Sequence, residues 1–199
     1  MGAHSSKTRQ RLLDAALKHF ARRGYAGTSV QQIVISARVT KPALYYHFGS
    51  KTGLFRALLD FALDERLRLM EAAAARGGST AERLEEVVAA VFEFARGNAD
   101  LMRLAFASAF AGAEEMPPEA RCLAKARRNF EFVRQLVEAG QAAGELSRRF
   151  DSEQLAFGLY GQLNTYVMAH VVLPDCHLDR PTARQVVRLF LDGAIPRRP

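Results

Sequence analysis

The residues whose types could contact a nucleic acid are concentrated between positions 40 and 51 of this 199-residue chain. If residues 41–47 form a short helix, its outward side chains are polar, aromatic or cationic: Thr40, Lys41, Ala43, Tyr45, Tyr46 and His47. Threonine and lysine can hydrogen-bond base edges or phosphates, while an alanine methyl or the ring of Pro42 can touch a thymine methyl. Tyrosine and histidine can reach phosphate oxygens, which positions a helix without reading the base sequence. These residue types predict a surface that binds double-stranded DNA.

The elements that would position this surface are a first helix, two shorter helices and a long fourth helix. Leu12, Ala16 and Phe20 lie on one face of a helix predicted over 8–23, which Gly24 ends. A second helix is predicted over 29–36, with an N-cap at Thr28 or Ser29. After a turn at 37–39, Thr40 caps the helix over 41–47, and Pro42 lies in its first turn, where no backbone donor is missed.

Two short helices joined by a turn of three to four residues, after a longer helix, are typical of a helix-turn-helix. In that motif the second short helix lies in the major groove, and its early side chains meet base edges. Ser50 is predicted to cap a fourth helix that reaches about residue 76. Lys51 adds a cation beside that N-terminus, where backbone donors already favour an anion.

The placement of charge favours the same interpretation. The net charge is +7, and residues 1–60 hold ten lysines and arginines against two aspartates, so the rest of the chain sums to −1. A basic N-terminal unit is expected where that unit meets a polyanion. A basic face that is merely solvated would give the same count, so charge alone does not decide between the two.

The remainder of the chain also reads as helical, which predicts an all-α fold. Helices are expected over about 81–96, 98–111, 118–143, 152–173 and 181–195. Residues 155–173 carry no Lys, Arg, Asp or Glu and approach the length of a membrane span, but Gln162, Asn164 and His170 within them favour a buried helix. There is no signal-peptide pattern, and two cysteines do not make a disulfide framework, so a cytoplasmic protein is expected.

The N-terminal sequence resembles the signature of tetracycline-repressor-like (TetR/AcrR) regulators. The resemblance rests on Gly24-Tyr25-Ala26-Gly27-Thr28-Ser29-Val30-Gln31-Gln32-Ile33 and on Val39-Thr40-Lys41-Pro42-Ala43-Leu44-Tyr45-Tyr46-His47-Phe48-Gly49-Ser50-Lys51. It covers roughly residues 8–60. The resemblance implies an all-α homodimer that binds palindromic operator DNA and releases it when a small molecule enters the C-terminal domain. The corresponding domains are 1–52, for DNA binding, and 53–199, for ligand binding and dimerisation.

The same resemblance implies which residues face the DNA. The candidates for base contacts are Gln31, Thr40, Lys41, Pro42 and Ala43. The candidates for phosphate contacts are Ser29, Tyr45, Tyr46, His47 and Lys51. Arg38 stands where the family usually has glycine, at a turn position that favours positive φ. We expect a backbone cost there, offset by attraction of the arginine to phosphate.

A pocket for an apolar or aromatic effector is implied by the resemblance for the C-terminal part. The candidate residues are Phe92, Met102, Phe106, Phe110, Phe130, Phe157, Tyr160 and Asn164. For most of these side chains an ordinary place in the hydrophobic core is the favoured alternative. Asn164 could orient a ligand or hydrogen-bond within a dimer interface.

The resemblance also implies that the last two long helices pair with those of a second copy. An apolar stripe over 184–195 supports this expectation. The candidate interface residues are Tyr166, Val167, His170, Val187, Phe190, Leu191 and Ala194.

No grouping of residues predicts catalysis, a cofactor or a metal. His170, Cys176 and His177 lack the spacing of a metal site. Two classes of function therefore remain. One is a ligand-released repressor, whose partners are operator DNA, a small-molecule effector and a second copy, with no membrane partner. The sequence does not separate such a repressor from an activator. The other is a helical ligand-binding or enzyme-like protein whose helix-turn-helix serves another partner.

Overall fold

The computed structural model describes residues 2–112, 115–173 and 175–193, with side chains from residue 5 onward. Every regular element in these ranges is helical, which confirms the predicted all-α class. The α-helices are α1 (Gly2–Arg23), α2 (Val30–Ala37), α3 (Lys41–Phe48), α4 (Lys51–Ala74), α5 (Thr80–Gly97), α6 (Ala99–Phe110), α7 (Leu123–Ala142), α8 (Ser152–Val172) and α9 (Arg180–Asp192).

Two of the predicted helix starts are wrong. The first helix begins at Gly2 rather than at residue 8, because its early polar turns continue the helix without adding an apolar stripe. The helix predicted from 118 begins at Leu123, since Pro118–Ala120 forms a single 3₁₀ turn and Arg121 is extended. The last helix ends at Asp192, where Gly193 follows with φ 67°.

The chain forms two compact units. The first comprises residues 1–62 and 99–123, and therefore contains α1 to α3, the start of α4, and α6. α1 packs against α2, α3 and α6. Phe20 of α1 is fully buried, and its ring meets Phe55 of α4 edge-on with centroids 5.0 Å apart. Burying one such side chain contributes about 1.5–3 kcal/mol. Because α1 packs against three other helices, it is the central helix of this unit.

The second unit comprises residues 63–98 and 124–199. In it α5 packs against α8 and α9, and α8 packs against α9. Reciprocal N-cap hydrogen bonds start α5 at Ser79 with Glu82 and start α8 at Asp151 with Gln154. Glu86 of α5 accepts hydrogen bonds from Arg180 of α9 and from Arg76, and this ion pairing holds its pKa below the ordinary value.

The compact units do not coincide with the predicted boundary after residue 52, because α6 belongs to the first unit. The functional division into 1–52 and 53–199 stays a prediction. No described helix is both long enough and apolar enough to cross a bilayer.

Candidate nucleic-acid interface

α2 and α3 are each fixed by local hydrogen bonds at their starts. The backbone N–H of Gln32 donates to Oγ of Ser29 at 3.2 Å, and Oε1 of Gln32 accepts from the Ser29 N–H at 2.9 Å. At α3 the Thr40 hydroxyl accepts from the Ala43 N–H at 3.4 Å. Both predicted caps are therefore confirmed. Such caps contribute on the order of 1 kcal/mol each, which makes two short helices regular enough to present a defined surface.

The turn between α2 and α3 depends on Arg38. This residue has φ 52° and ψ 49°, and it is the one non-glycine residue with positive φ in the described part of the chain. Its N–H donates to the carbonyl of Ile35, while its own carbonyl accepts from Nη2 of Arg11, both at 3.0 Å. The expectation of a positive-φ arginine at this turn is confirmed, and its side chain is exposed.

Most side chains of the predicted DNA-facing set are exposed to solvent, on α3 and on the segment before it. Tyr46 is 82% exposed and Tyr45 is 49% exposed. The other exposed members of the set are Ser29, Gln31, Arg38, Thr40, Lys41 and Pro42, while Ala43 and His47 are half-buried. Leu44 is fully buried, so α3 is anchored by its inner side. This arrangement leaves the early part of α3 free to enter a groove, and the individual DNA contacts stay predictions.

Lys51 makes contacts that its sequence position did not predict. Its Nζ donates to the backbone carbonyls of Tyr25 and Thr28, both at 3.0 Å, and lies 4.1 Å from the centre of the Tyr25 ring. Partial burial lowers the pKa of this lysine. Two of its three donors are therefore used within the protein, and it fastens the start of α4 to the segment after α1. Its phosphate contact stays a prediction that relies on the third donor.

A basic cleft lies beside the turn, between α1 and α2. Its cationic lining residues are Arg11, Lys18, Arg22, Arg23 and Arg38, with Asp14 as the acidic member. The ring of His19 and the hydroxyl of Ser36 are joined by a 2.7 Å hydrogen bond across this cleft. The positive charge counted over residues 1–60 is thus partly gathered on one surface of the folded unit.

The predicted effector residues fall in both compact units. Met102, Phe106 and Phe110 lie on α6 in the first unit, where Met102 is buried and Phe110 is 82% exposed. The other five lie in the second unit. Of these, Phe92 is buried and its ring centre lies 6.1 Å from that of Tyr166.

Four effector candidates of the second unit are brought together. The Phe130 ring centre lies 4.5 Å from that of Phe157 and 5.7 Å from that of Tyr160. Asn164 accepts a hydrogen bond from Arg66, whose guanidinium also faces the Tyr160 ring. Arg66 was not predicted, because nothing in the pattern of α4 distinguishes it from the surface arginines Arg56 and Arg68. The role of this cluster as an effector site stays a prediction.

The predicted dimer residues differ in exposure. Val167 and Val187 are fully buried in the protomer, so these side chains belong to its own core and have no surface to offer a partner. Tyr166, His170 and Phe190 are half-buried, and Nδ1 of His170 is hydrogen-bonded to the Cys176 carbonyl at 2.6 Å. Leu191 is exposed, and Ala194 lies outside the described residues.

The second unit also exposes apolar side chains that the predicted dimer interface did not include. On α8 they are Phe157, Met168 and Val172, and on α9 Leu189. Within the described residues no group of three or more His, Cys, Asp or Glu side chains could hold a metal ion.

Comparison with known proteins supports the helix-turn-helix interpretation. The family model for bacterial regulatory proteins of the tetR family matches residues 12–58. The HTH-type transcriptional regulator YdgC of Bacillus subtilis is 26% identical over 201 residues, spanning 99% of this chain and 97% of that protein. A probable acrEF/envCD operon repressor of Escherichia coli is 41% identical over 56 residues, which are 28% of this chain and 26% of that protein.

The similarity of fold extends over almost the whole chain. The crystal structure of the transcriptional regulator FadR from Bacillus subtilis, in complex with stearoyl-CoA, superposes with a TM-score of 0.81 at 18% identity. The match covers 94% of this chain and 99% of that one. The match to the tetR-family model thus falls on the capped helix-turn-helix and the exposed surface of α3, and the chain as a whole is similar in fold to bacterial transcriptional regulators.

Proposed function

We propose that this regulator is a cytoplasmic, ligand-released repressor that binds palindromic operator DNA as a homodimer and has no enzymatic activity. The observation that carries the proposal is the exposed, polar and aromatic surface of α3, held by capped helices in a basic unit. A rigid helix with exposed early side chains suits the major groove. The similarity to a probable operon repressor, 41% identity over 56 residues, also supports the proposal.

The proposed division of labour on the DNA follows from side-chain chemistry. Gln31, Thr40, Lys41, Pro42 and Ala43 would face the bases. Ser29, Arg38, Tyr45, Tyr46, His47 and Lys51 would face phosphates. Ser29 can do so although its oxygen caps α2, since its own hydroxyl hydrogen is still available as a donor.

The proposed homodimer would form on the exposed apolar side chains of α8 and α9. Met168, Val172, Leu189 and Leu191 each present much of their surface to solvent. Scattered exposed apolar residues are ordinary, but a concentration on two helices of one unit favours an interface. A two-fold axis through such an interface would match the symmetry of a palindromic site. The effector would be a small apolar or aromatic molecule bound in the second unit.

The test is binding of the full-length protein to DNA from upstream of its own gene, measured by fluorescence anisotropy at several salt concentrations. If about six phosphates are contacted, affinity should fall on the order of 10³-fold between 50 and 200 mM salt, because bound counterions are released. Lys41→Ala should weaken operator binding more than binding to random DNA, whereas Lys18→Ala, which alters a cation away from α3, should not change the preference. Undetectable or salt-independent binding would contradict the proposal and favour a helical ligand-binding or enzyme-like protein.

A further inference from the structure

The side chain of Arg66, on α4, lies in the interior of the second unit. It is 7% exposed. Its Nη2 donates to Oδ1 of Asn164 at 2.9 Å, and the guanidinium carbon lies 5.0 Å from the Tyr160 ring centre. Its Nε is buried and meets no hydrogen-bond partner among the described residues. The guanidinium therefore contacts an amide oxygen and an aromatic ring, and part of its hydrogen-bonding capacity is unused.

No carboxylate of the described residues lies within ion-pairing distance of Arg66. The neighbouring acids of α4 are engaged elsewhere: Glu65 with Arg68, and Asp64 with Lys125 and Arg128. A buried charge is ordinarily paired, because removing it from water without a counter-ion costs several kcal/mol. An amide and an aromatic ring offset only part of this cost. The unit thus holds a buried cation whose matching anion is not supplied by the described chain.

We propose that Arg66 binds the carboxylate of the effector, and that the effector is a monocarboxylic acid with an aromatic or short aliphatic body. This inference rests on the proposed function and specifies its ligand class. Guanidinium groups bind carboxylates through two parallel N–H donors, and the unpartnered Nε is one side of such a fork. One cation in an apolar setting is neutralised by a monoanion, whereas a dianionic phosphate would leave excess negative charge.

A row of aromatic rings beside Arg66 offers a surface against which the apolar body of the ligand could pack. The rings of Phe157, Phe130 and Tyr160 follow one another from the exposed side of α8 to the guanidinium of Arg66. Phe157 is 59% exposed, so this row of rings begins at solvent. Gln162 also has a buried oxygen without a partner in the described structure. Since it lies two residues from both Tyr160 and Asn164, it is on another face of α8 and is not part of the site.

The test compares matched acids and alcohols by thermal unfolding of the full-length protein. Benzoate, 4-phenylbutyrate and octanoate are each paired with the corresponding alcohol. At least one acid should raise the melting temperature of the wild-type protein while its alcohol does not, because only the acid supplies the anion. In Arg66→Met the apparent affinity for that acid should fall at least about tenfold, as expected for a lost charge-assisted hydrogen bond. Arg66→Lys should retain part of the response, and the surface control Arg68→Met should retain it fully.

A second readout separates a ligand-binding role from a structural one. Arg66→Met should raise the melting temperature without ligand, because it replaces an unpaired buried charge by an unbranched apolar side chain. The inference is overturned if no acid stabilises the wild type, if alcohols stabilise it equally, or if Arg66→Met and Arg66→Lys respond to acid as the wild type does. DNA binding measured in parallel distinguishes the two failures: intact operator binding without an acid response overturns the carboxylate site and leaves the repressor proposal standing.

Discussion

Arg38 offers a direct test of backbone strain in the helix-turn-helix, because its side chain and its backbone conformation can be altered separately. The residue lies in the left-handed region at φ 52°. Its described hydrogen bonds use only the backbone N–H and carbonyl, so glycine at this position would keep them. Arg38→Gly therefore removes the steric cost and the exposed charge without removing a described hydrogen bond.

The expected gain follows from two opposing effects. A non-glycine residue in the left-handed region costs about 1–2 kcal/mol. Glycine also increases the conformational freedom of the unfolded chain, which lowers the free energy of unfolding by about 0.4–1 kcal/mol. The free energy of unfolding should therefore rise by about 0.5–1 kcal/mol. In a protein of this size that corresponds to an increase in melting temperature of about 1–4 °C.

The assay uses Arg38→Gly beside Arg38→Ala, which removes the same charge but retains the strained backbone. Both variants should bind operator DNA more weakly, and each lost phosphate contact should reduce the slope of log affinity against log salt by about 0.9. Of the two variants, only Arg38→Gly should melt at a higher temperature than the wild type. A melting temperature for Arg38→Gly equal to or below that of Arg38→Ala would refute the strain argument. Unchanged salt dependence in both would refute the phosphate role.

Two further predictions concern ionised groups that fasten helices. Lys51→Ala should lower the free energy of unfolding by about 1–3 kcal/mol, since it removes charge-assisted hydrogen bonds to two backbone carbonyls. Denaturant unfolding measures this loss, and the control variant Lys7→Ala should show no comparable decrease. The hydrogen bond from Arg180 keeps the pKa of Glu86 below its ordinary value, so this carboxylate stabilises the fold above about pH 5 and loses its effect as pH falls through the lowered pKa. Wild type and Glu86→Gln should therefore differ in unfolding free energy at neutral pH and converge in acid; a constant difference at all pH values would contradict this account.

The features that the sequence predicts well are those determined by local chemistry. The caps at Ser29, Thr40 and Ser50 lie where the structure has them, because a cap needs only a short polar side chain and a backbone N–H two or three residues later. The positive φ of Arg38 was expected for the same reason, since a short inter-helix turn restricts the backbone whatever the side chain. The inward position of Leu44 follows from helical spacing.

The features that the sequence did not predict depend on partners distant along the chain. The carbonyls that hold Lys51 precede it by 23 and 26 residues, and backbone carbonyls have no signature in a sequence. Arg66 meets Asn164 across 98 residues, so its burial is a property of packing and not of the pattern of α4. The apolar stripe that contains Val187 fits an interface and a protomer core equally well, and the structure places both Val187 and Val167, which the family resemblance implies for the interface, in the protomer core.

The inclusion of α6 in the first compact unit has a consequence for synthesis of the protein. α1 packs against α6, whose Leu101 and Leu104 are buried, although more than seventy residues separate the two helices. A fragment that stops at residue 62 would contain the entire helix-turn-helix and yet leave part of α1 uncovered. On the ribosome the first compact unit would therefore complete its core only after the chain has grown past α6. Truncated proteins designed to carry DNA binding alone should be prone to aggregate.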